Sequence, residues 1–334
     1  MNRPAPLPQR LFKALAADGA QAARPWRSGA ALARDLGLSR SAIWKAASAL
    51  RAQGLELDAV PRQGYRLHRP VVALDAGAIT AHLRQSQCEV HLGDCVWQTG
   101  STNADLLTRP APPAGSVDFR AAEIQDAGRG RRGRRWLAPP GGGLCLSWSR
   151  SFDALPPQAG ALSLVIGVTA LRALRGLGIE GIGLKWPNDL VTDAGKLGGI
   201  LIELKSEAGG PLHLVVGIGL NLALGEAVVR DVAATGNRAT DLAALGKVPD
   251  RNRLAAALID EGRRGLARFE QDGFAAFAAD YAAADVLAGR PVSIQGARDC
   301  DGTALGIDAD GALRVRTARG EERILSGDVS VRAT

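Results

Sequence analysis

Apolar residues recur at helical spacing in three short segments within the first seventy residues. Each segment keeps its apolar positions on one face, which is typical of an amphipathic helix. The recurring positions are Leu11, Phe12 and Leu15 in the first segment, Leu32 and Leu36 in the second, and Ile43, Ala47 and Leu50 in the third. The pattern predicts three helices around a small shared core, the first of them over residues 11–17.

Cap and turn residues between these segments indicate how the helices connect. Ser28 and Ser39 stand where an N-cap is expected, and Gly37 can end the second helix in a left-handed turn. After the third helix, residues 55–67 alternate as two short strands whose connecting turn carries Arg62. Three helices followed by a two-stranded wing predict a winged helix–turn–helix domain.

Beyond this domain, apolar segments of strand and helix length alternate as far as residue 284. The longest apolar stretches predict one helix over 156–177 and one or two over 251–279. From Gly289 onward the segments are short and β-prone, with Asp-Gly turns between them, which predicts a small barrel. The expected α+β protein has three domains, over residues 1–70, 75–284 and 285–334, with a disordered start at 1–10 and a linker at 69–75.

Basic residues are concentrated in the first domain. The chain holds 41 Lys and Arg against 34 Asp and Glu, and residues 1–70 account for 12 and 4 of them, which leaves 29 against 30 elsewhere. A localised positive charge favours a polyanionic partner for that domain alone. The residues expected to contact DNA are Arg40, Ser41, Trp44 and Lys45 on the third helix and Arg62 on the wing. A three-helix protein-binding module is the alternative.

The remaining bulk properties narrow the class of protein. Apolar residues make up 46% and charged residues 22%, as expected for a globular protein. The N-terminus has no apolar segment typical of an export signal, and the apolar stretches are too broken to predict a membrane span. The four cysteines form no Cys-x-x-Cys pair, which favours reduced thiols in the cytoplasm and predicts no zinc site.

The segment GRGRRGRRW, residues 128–136, places five arginines among glycines. Its glycines match the pattern GxGxxG, but the Pro- and Gly-rich residues that follow do not predict the helix a dinucleotide site requires. No GxxxxGK[ST] motif occurs in the chain, which excludes a P-loop enzyme. Backbone N–H groups and guanidinium groups in such a loop can close over a nucleotide phosphate. A solvated surface loop and a weak DNA contact are the alternatives.

Four further motifs change the interpretation of this arginine loop. They are TGSTNADLL at 99–107, KWPNDL at 185–190, GKLGGILIEL at 195–204 and VVGIGLNL at 215–222. Together with EIQDAGRGRRGRRW at 123–136, these motifs resemble the biotin–protein ligase family, and the resemblance extends over nearly the whole chain. The N-terminal domain resembles that of the bifunctional members, which also repress biotin operons.

The resemblance implies a fold, an activity and partners. The implied fold has a central mixed sheet, related to that of class II aminoacyl-tRNA synthetases, and an SH3-like C-terminal domain. The implied activity joins biotin to ATP, with Mg²⁺, as biotinyl-5′-adenylate, and then transfers biotin to a lysine of a biotin carboxyl carrier protein. Operator DNA is the second implied partner. A homodimer is expected when adenylate is bound, with no membrane association.

The resemblance also assigns roles to individual residues. The implied catalytic residues are Lys196, Lys185 and Arg131. The implied biotin contacts are Ser101, Thr102, Asn103, Gln125, Arg129, Gly130, Arg131 and Lys196. The implied ATP and adenylate contacts are Arg129, Arg131, Arg132, Arg134, Trp136, Lys185 and Asn221, the last of which can instead cap a strand end. Trp186 is either a wall of the site or a core residue, and Asp189 either orients the carrier lysine or holds Mg²⁺.

Three expectations stay open at the level of sequence. A lipoate or octanoyl transfer enzyme of the same superfamily is one alternative function, although the arginine loop and KWPND argue against it. A repressor that senses a ligand without catalysis is the other. Asp126, beside the arginine loop, can pair with one of the loop arginines and is not expected to contact phosphate itself.

Overall fold

The computed structural model describes residues 5–16, 26–206, 211–295, 300–325 and 330–333, and confirms the α+β class. Its helices are α1 (Leu7–Ala16), α2 (Gly29–Leu36), α3 (Arg40–Ala52), α4 (Ala76–Gln85), α5 (Thr102–Leu107), α6 (Leu162–Gly176), α7 (Glu226–Ala234), α8 (Arg251–Asp272) and α9 (Ala275–Ala284). Its strands are β1 (Leu57–Val60), β2 (Gly64–Leu67), β3 (Glu89–Thr99), β4 (Ser116–Gln125), β5 (Gly143–Phe152), β6 (Gly183–Lys185), β7 (Asp189–Thr192), β8 (Gly195–Ser206), β9 (Leu212–Asn221), β10 (Pro291–Gln295), β11 (Cys300–Ile307), β12 (Leu313–Thr317), β13 (Gly320–Ile324) and β14 (Ser330–Ala333).

The predicted winged helix–turn–helix is confirmed, including its caps. Ser28 Oγ accepts a hydrogen bond from the N–H of Ala31, and Ser39 Oγ accepts one from Ala42. Gly37 ends α2 with a φ of 62°. Helix α1 begins at Leu7, so the predicted disorder at its start is wrong for residues 7–10. The hydrophobic face of α1 packs into the shared core, which stabilises the whole helix.

The central domain is a seven-stranded sheet in the order β3-β4-β5-β9-β8-β7-β6. Strands β3 and β4 pair in parallel and all other neighbours are antiparallel, so the predicted mixed sheet is confirmed. Helices α6 and α8 pack against each other and against this sheet. The single helix predicted over 156–177 is instead a turn, a 3₁₀ helix over Ala159–Ala161 and then α6. The other predicted segment is two helices, α8 and α9, separated at Gly273, whose φ is 66°.

One apolar segment of the described chain is long enough to cross a membrane. By length and composition Ala159–Gly176 meets this criterion, and 67% of it is buried inside the protein. Burial against α8 and the sheet is what a core helix requires. The segment is therefore weak evidence for a membrane span.

The C-terminal domain is a five-stranded antiparallel sheet in the order β13-β12-β11-β10-β14. The turn between β11 and β12 contacts the central domain, where Trp186 Nε1 donates to the Gly311 carbonyl at 3.1 Å. A Cβ at Gly311 would lie only 2.8 Å from Ala161 Cα. Arg323 holds the turn from β13 through Asp308 and Asp310, at 2.5 and 2.7 Å. The C-terminal domain is thus fastened to the KWPND segment.

A buried ion pair lies where the interdomain linker meets the central domain. Arg251 on α8 forms a bidentate pair with Glu123 on β4, and their side chains are 3% and 6% exposed. Glu123 also accepts from the N–H groups of Leu74 and Gly141, and Arg251 Nε donates to the Val72 carbonyl. The pair therefore joins the linker, the central sheet and the segment that follows the arginine loop.

Candidate functional site

A cleft of about 1620 Å³ lies at one face of the central sheet, between the arginine loop and strands β6 to β9. The sequence-predicted residues that line it are Ser101, Thr102, Asn103, Gln125, Arg129, Gly130, Arg131, Arg134, Trp136, Lys185, Lys196 and Asn221. The side chain of Arg132 lies outside the described residues. The volume of the cleft exceeds that of a typical single-ligand pocket, which leaves room for two substrates side by side.

Lys196 is held near the beginning of β8. Its backbone N–H donates to the Arg238 carbonyl and its carbonyl accepts from the Thr240 N–H, which ties the strand to a neighbouring loop. Its Nζ donates to Asp189 Oδ1 at 2.6 Å, and 37% of its side chain is exposed. The side chain faces the cleft. Asp189 orients a positive charge that remains accessible to an anionic ligand.

The arginine loop is folded back on itself by backbone hydrogen bonds. The N–H of Trp136 donates to the Gly128 carbonyl at 2.9 Å, and the N–H of Gly130 donates to the Arg134 carbonyl at 2.6 Å. One turn of 3₁₀ helix, Arg131–Gly133, forms its tip. The loop thus opens no α-helix, as its Pro and Gly residues predict. It projects the side chains of Arg129 and Arg134 to the solvent-exposed side of the cleft.

Two glycines of β9, at the floor of the cleft, leave room for neighbouring side chains to approach the strand. A Cβ at Gly219 would lie 2.4 Å from the Trp136 ring, and one at Gly217 would lie 2.3 Å from Asn103 Oδ1. Both positions must lack a side chain for these groups to approach the strand. Trp136 therefore stacks on bare backbone, with Lys196 Nζ 5.9 Å from its ring centroid. This explains the GIG of the fourth motif.

A chain of polar side chains runs beneath the inner end of the cleft. Gln125 Oε1 accepts from the N–H of Thr102 at 2.8 Å, and Ser147 Oγ lies 2.6 Å from Thr102 Oγ1 and 2.5 Å from Asn103 Oδ1. Asn103 Nδ2 donates to Glu203 at 2.7 Å. Ser101 instead caps α5 by accepting from Ala104. Ser147 and Glu203 were not predicted as site residues: Glu203 lies within the GKLGGILIEL motif but was given no role, and Ser147 lies on β5, outside the motifs.

Three other residues that the sequence analysis singled out, Asn221, Trp186 and Asp126, each make different contacts. Asn221 is 5% exposed and its Nδ2 donates to the carbonyls of Thr240 and Lys196, at 3.0 and 3.4 Å, so it braces the Lys196 strand. Trp186 is 1% exposed and is a core residue. Asp126 accepts from Gln98 Nε2, at 2.8 and 2.9 Å. A loop arginine reaches Asp126 at its backbone, where Arg135 Nη2 donates to the carbonyl at 3.3 Å.

The cleft contains one cysteine that is chemically quiet. Burial raises the pKa of the Cys145 thiol to about 12, although hydrogen bonds with Gln125 and Trp136 oppose the shift. A thiol with this pKa stays protonated near pH 7 and is a poor nucleophile. Cys145 therefore forms part of the wall of the cleft and does not act as a nucleophile there.

The residues predicted to contact DNA are all accessible to a partner. Arg40, Ser41, Trp44, Lys45 and Arg62 are all exposed, and Trp44 is 62% exposed. Arg62 lies at the tip of the wing with a φ of 68°. The opposite end of α3, at Ala52, lines the cleft, so one helix connects the two surfaces.

Family models match most of the chain in three consecutive parts. Residues 21–66 match a helix–turn–helix domain, residues 93–221 match the biotin/lipoate A/B protein ligase family, and residues 288–332 match the biotin protein ligase C-terminal domain.

Similar proteins cover the same span. The bifunctional ligase/repressor BirA of Escherichia coli is 38% identical over 312 residues, covering 92% of this chain and 94% of that protein. A biotin–[acetyl-CoA-carboxylase] ligase of Mycobacterium tuberculosis is 38% identical over 245 residues, covering 71% of this chain and 87% of that one. The solved biotin protein ligase of Aquifex aeolicus, in complex with biotin and ATP, has a TM-score of 0.61 at 27% identity and covers 73% of this chain and all of that one.

Proposed function

The chain belongs to the biotin/lipoate protein ligase family, and from this membership we propose that it is a biotin–protein ligase that also represses transcription. The observation that carries the proposal is the convergence of the four motifs and the arginine loop on one cleft. The full-length similarity to ligase/repressors supports both halves of it. The boundaries proposed from sequence, 1–70, 75–284 and 285–334, separate the repressor, ligase and C-terminal domains.

In the first step, a biotin carboxylate oxygen attacks the α-phosphorus of ATP and pyrophosphate leaves, which forms biotinyl-5′-adenylate. Both reactants are anions, so their approach needs a fixed positive charge. Lys196 supplies it, since Asp189 orients its Nζ at 2.6 Å while part of the side chain stays accessible. Thr102, Asn103 and Gln125, at the inner end, are the polar groups that bind the biotin ring system, and Ser101 orients α5 there.

ATP is proposed to bind across the outer part of the cleft. We assign its phosphates to Lys185 and to Arg129, Arg131 and Arg134 of the loop, and Trp136 forms the wall between the phosphate and biotin ends. In the described residues no three acidic, His or Cys groups converge on a cation. Mg²⁺ in nucleotide sites is held largely by the phosphates and needs only one or two carboxylates from the protein. When bound, it neutralises charge on the phosphates.

In the second step, the ε-amine of a lysine on the biotin carboxyl carrier protein attacks the acyl carbon of the adenylate, and AMP leaves. The amine must lose a proton in this step. Asp189 lies beside Lys196 at the cleft and is the carboxylate placed to orient that amine. We assign it this role in preference to holding a metal, because Lys196 already occupies Oδ1.

Incubation of a carrier domain with labelled biotin and ATP tests the proposal directly. Transfer of label to the carrier lysine is expected, and lipoate or octanoate should not replace biotin. Preferential transfer of lipoate would favour the acyl transfer enzyme of the same family. Tight binding of biotin with no transfer would favour a repressor that only senses its ligand.

The arginine loop is proposed to retain the adenylate, with Arg131 as its main clamp. We expect Arg131→Gly to form adenylate and to release it about ten- to hundredfold faster, because a hydrogen bond to a charged group contributes about 1.5–3 kcal/mol. Release is measured by chasing labelled adenylate with unlabelled biotin and ATP. Arg135→Gly is the matched control, since the Arg135 guanidinium donates to the Asp126 carbonyl at 3.3 Å. Equal release from both variants would contradict the clamp.

Operator binding is proposed for the exposed end of α3 and for the wing. We expect Lys45→Ala to weaken binding to a palindromic operator and to lower the slope of log affinity against log salt by about 1, because one phosphate contact is lost. Gel shifts over a range of salt concentrations measure both quantities. Lys13→Ala, on α1 of the same domain, is the control. The same binding to random DNA would argue against an operator.

Dimerisation and location follow from the same proposal. The adenylate orders the arginine loop, which favours a homodimer that presents two winged helices to a palindrome. Sedimentation velocity with and without biotin and ATP tests this, and an unchanged mass would contradict it. A cytoplasmic location is proposed because the described cysteines Cys88, Cys95 and Cys145 are free thiols.

A further inference from the structure

Helix α5, which carries part of the inner end of the cleft, is too short to hold its own position. It has 6 residues, and its buried side chains are Thr102, Asn103 and Leu106, of which only Leu106 is apolar. Helices of this length are not stable alone in water. The placement of Thr102 and Asn103 against the cleft therefore depends on contacts that the rest of the segment makes.

The third polar side chain of α5, Asp105, makes two such contacts. Its Oδ2 accepts from Thr99 Oγ1, at the end of β3, at 2.7 Å. The same oxygen accepts from Arg120 Nε on β4, also at 2.7 Å. The first bond closes the turn that carries Thr102 and Asn103, and the second fastens that turn to the central sheet.

Arg120 has a second carboxylate partner, which makes no bond to this turn. Its Nη1 donates to Asp94 Oδ2 on β3 at 2.6 Å, and Arg109 Nη2 donates to the same oxygen at 3.1 Å. The Arg120 side chain is 18% exposed, so water screens these charges only in part. Asp94 and Asp105 thus both balance the charge of Arg120, but only Asp105 also holds Thr99.

We propose that Asp105 is a positioning residue for biotin, because it fixes the turn that carries Thr102 and Asn103 through its bonds to Thr99 and Arg120. The inference rests on the proposed function, in which Thr102 and Asn103 bind the biotin ring system. Without the carboxylate, the turn would adopt positions in which these groups do not meet the ligand. The apparent affinity then falls by the fraction of molecules in which the turn is in place.

Removal of the Asp105 carboxylate from the full-length protein tests the proposal. For Asp105→Ala we expect the Kd for biotin, measured by calorimetry, and the KM for biotin to rise about tenfold, the effect of losing a hydrogen bond to a charged group. The kcat of pyrophosphate exchange and the KM for ATP should stay within about twofold, since Lys196 and Lys185 lie on β8 and β6, away from α5. Asp105→Asn keeps an oxygen that accepts from both donors and should bind biotin within about threefold of the wild type.

Two further variants separate the positioning of the turn from the balance of charge. Asp94→Ala removes the other carboxylate from Arg120 and should bind biotin within about threefold of the wild type. Thr99→Val removes the hydroxyl that donates to Asp105 and should raise the Kd several-fold. Combined with Asp105→Ala it should raise the Kd no further, since both changes remove the same bond.

Thermal melting shows which variants fold, and Thr99→Val carries the test if Asp105→Ala does not. A Kd within about twofold of the wild type for the folded variant that carries the test would overturn the inference. Equal losses in Asp94→Ala and Asp105→Ala, or in Asp105→Asn and Asp105→Ala, would also overturn it. Each of these results leaves the ligase proposal intact, because the wild type still binds biotin. No biotin binding by the wild type would overturn the proposed function and the inference with it.

Discussion

Lys196→Ala is expected to lower the rate of adenylate formation by about 10²–10³-fold, the usual effect of removing one group that stabilises charge in a transition state. The loss arises because Lys196 Nζ is the positive charge that Asp189 orients towards the cleft floor. Exchange of labelled pyrophosphate into ATP, which depends on biotin, measures this step alone. A rate close to that of the wild type would remove Lys196 from the chemistry.

The variant should remain folded, which makes the measurement interpretable. The backbone of Lys196 keeps its hydrogen bonds to Arg238 and Thr240 whatever the side chain is. Lys205→Ala is the matched control, because Lys205 lies on the same strand with its Nζ 3.4 Å from the Leu107 carbonyl, outside the cleft lining. Exchange by this variant should stay near the wild-type rate, and both variants should melt near the wild-type temperature.

Arg251→Met is expected to destabilise the protein by about 3–5 kcal/mol, because it leaves the Glu123 carboxylate buried without its cation. The side chains of this pair are 3% and 6% exposed, so water cannot replace the missing partner. Equilibrium urea denaturation, followed by circular dichroism, should show the lower midpoint. A shift of under about 1 kcal/mol would contradict a structural role for the pair.

Two comparisons separate the buried pair from ordinary surface charges. Arg264→Met, on the same helix, breaks an i,i+4 pair with Asp260 in which the arginine is 53% exposed, and should cost less than about 1 kcal/mol. Removal of both charges, in Glu123→Leu/Arg251→Met, should not restore stability. The N–H groups of Leu74 and Gly141 would then be buried without an acceptor.

Local sequence features predicted much of the fold. Ser28, Ser39 and Gly37 form their capping hydrogen bonds with residues no more than four positions away, so these caps could be identified from the sequence and are confirmed. The apolar stretch over 156–177 was misjudged at its start, because Gln158 to Ala161 forms a tighter 3₁₀ turn. Periodicity alone does not distinguish such a turn from the first turn of a helix.

The site was predictable only where motifs carry it. Lys196 and the arginine loop could be found because their residue types are unusual for their surroundings. Ser147 and Glu203 could not, since each acts through a partner at least 44 residues away in the chain. The contact of Gln98 with the Asp126 carboxylate could not be predicted for the same reason, because Gln98 reaches it from a neighbouring strand. The contacts of Ser147, Glu203 and Asp126 depend on which residues of distant segments lie side by side. The local sequence pattern carries no information about that register.

The hydrogen bond from Trp186 to Gly311 makes the C-terminal domain a mechanical neighbour of the phosphate end of the cleft. Lys185 precedes Trp186 directly, so a rotation of the C-terminal sheet that breaks this bond would also pull on Lys185, the lysine that we propose contacts the ATP phosphates. A bulky residue at position 311 would wedge the two domains apart at Ala161. We would then expect this substitution to lower the affinity for ATP, although position 311 lies in the turn between β11 and β12 and not in the cleft.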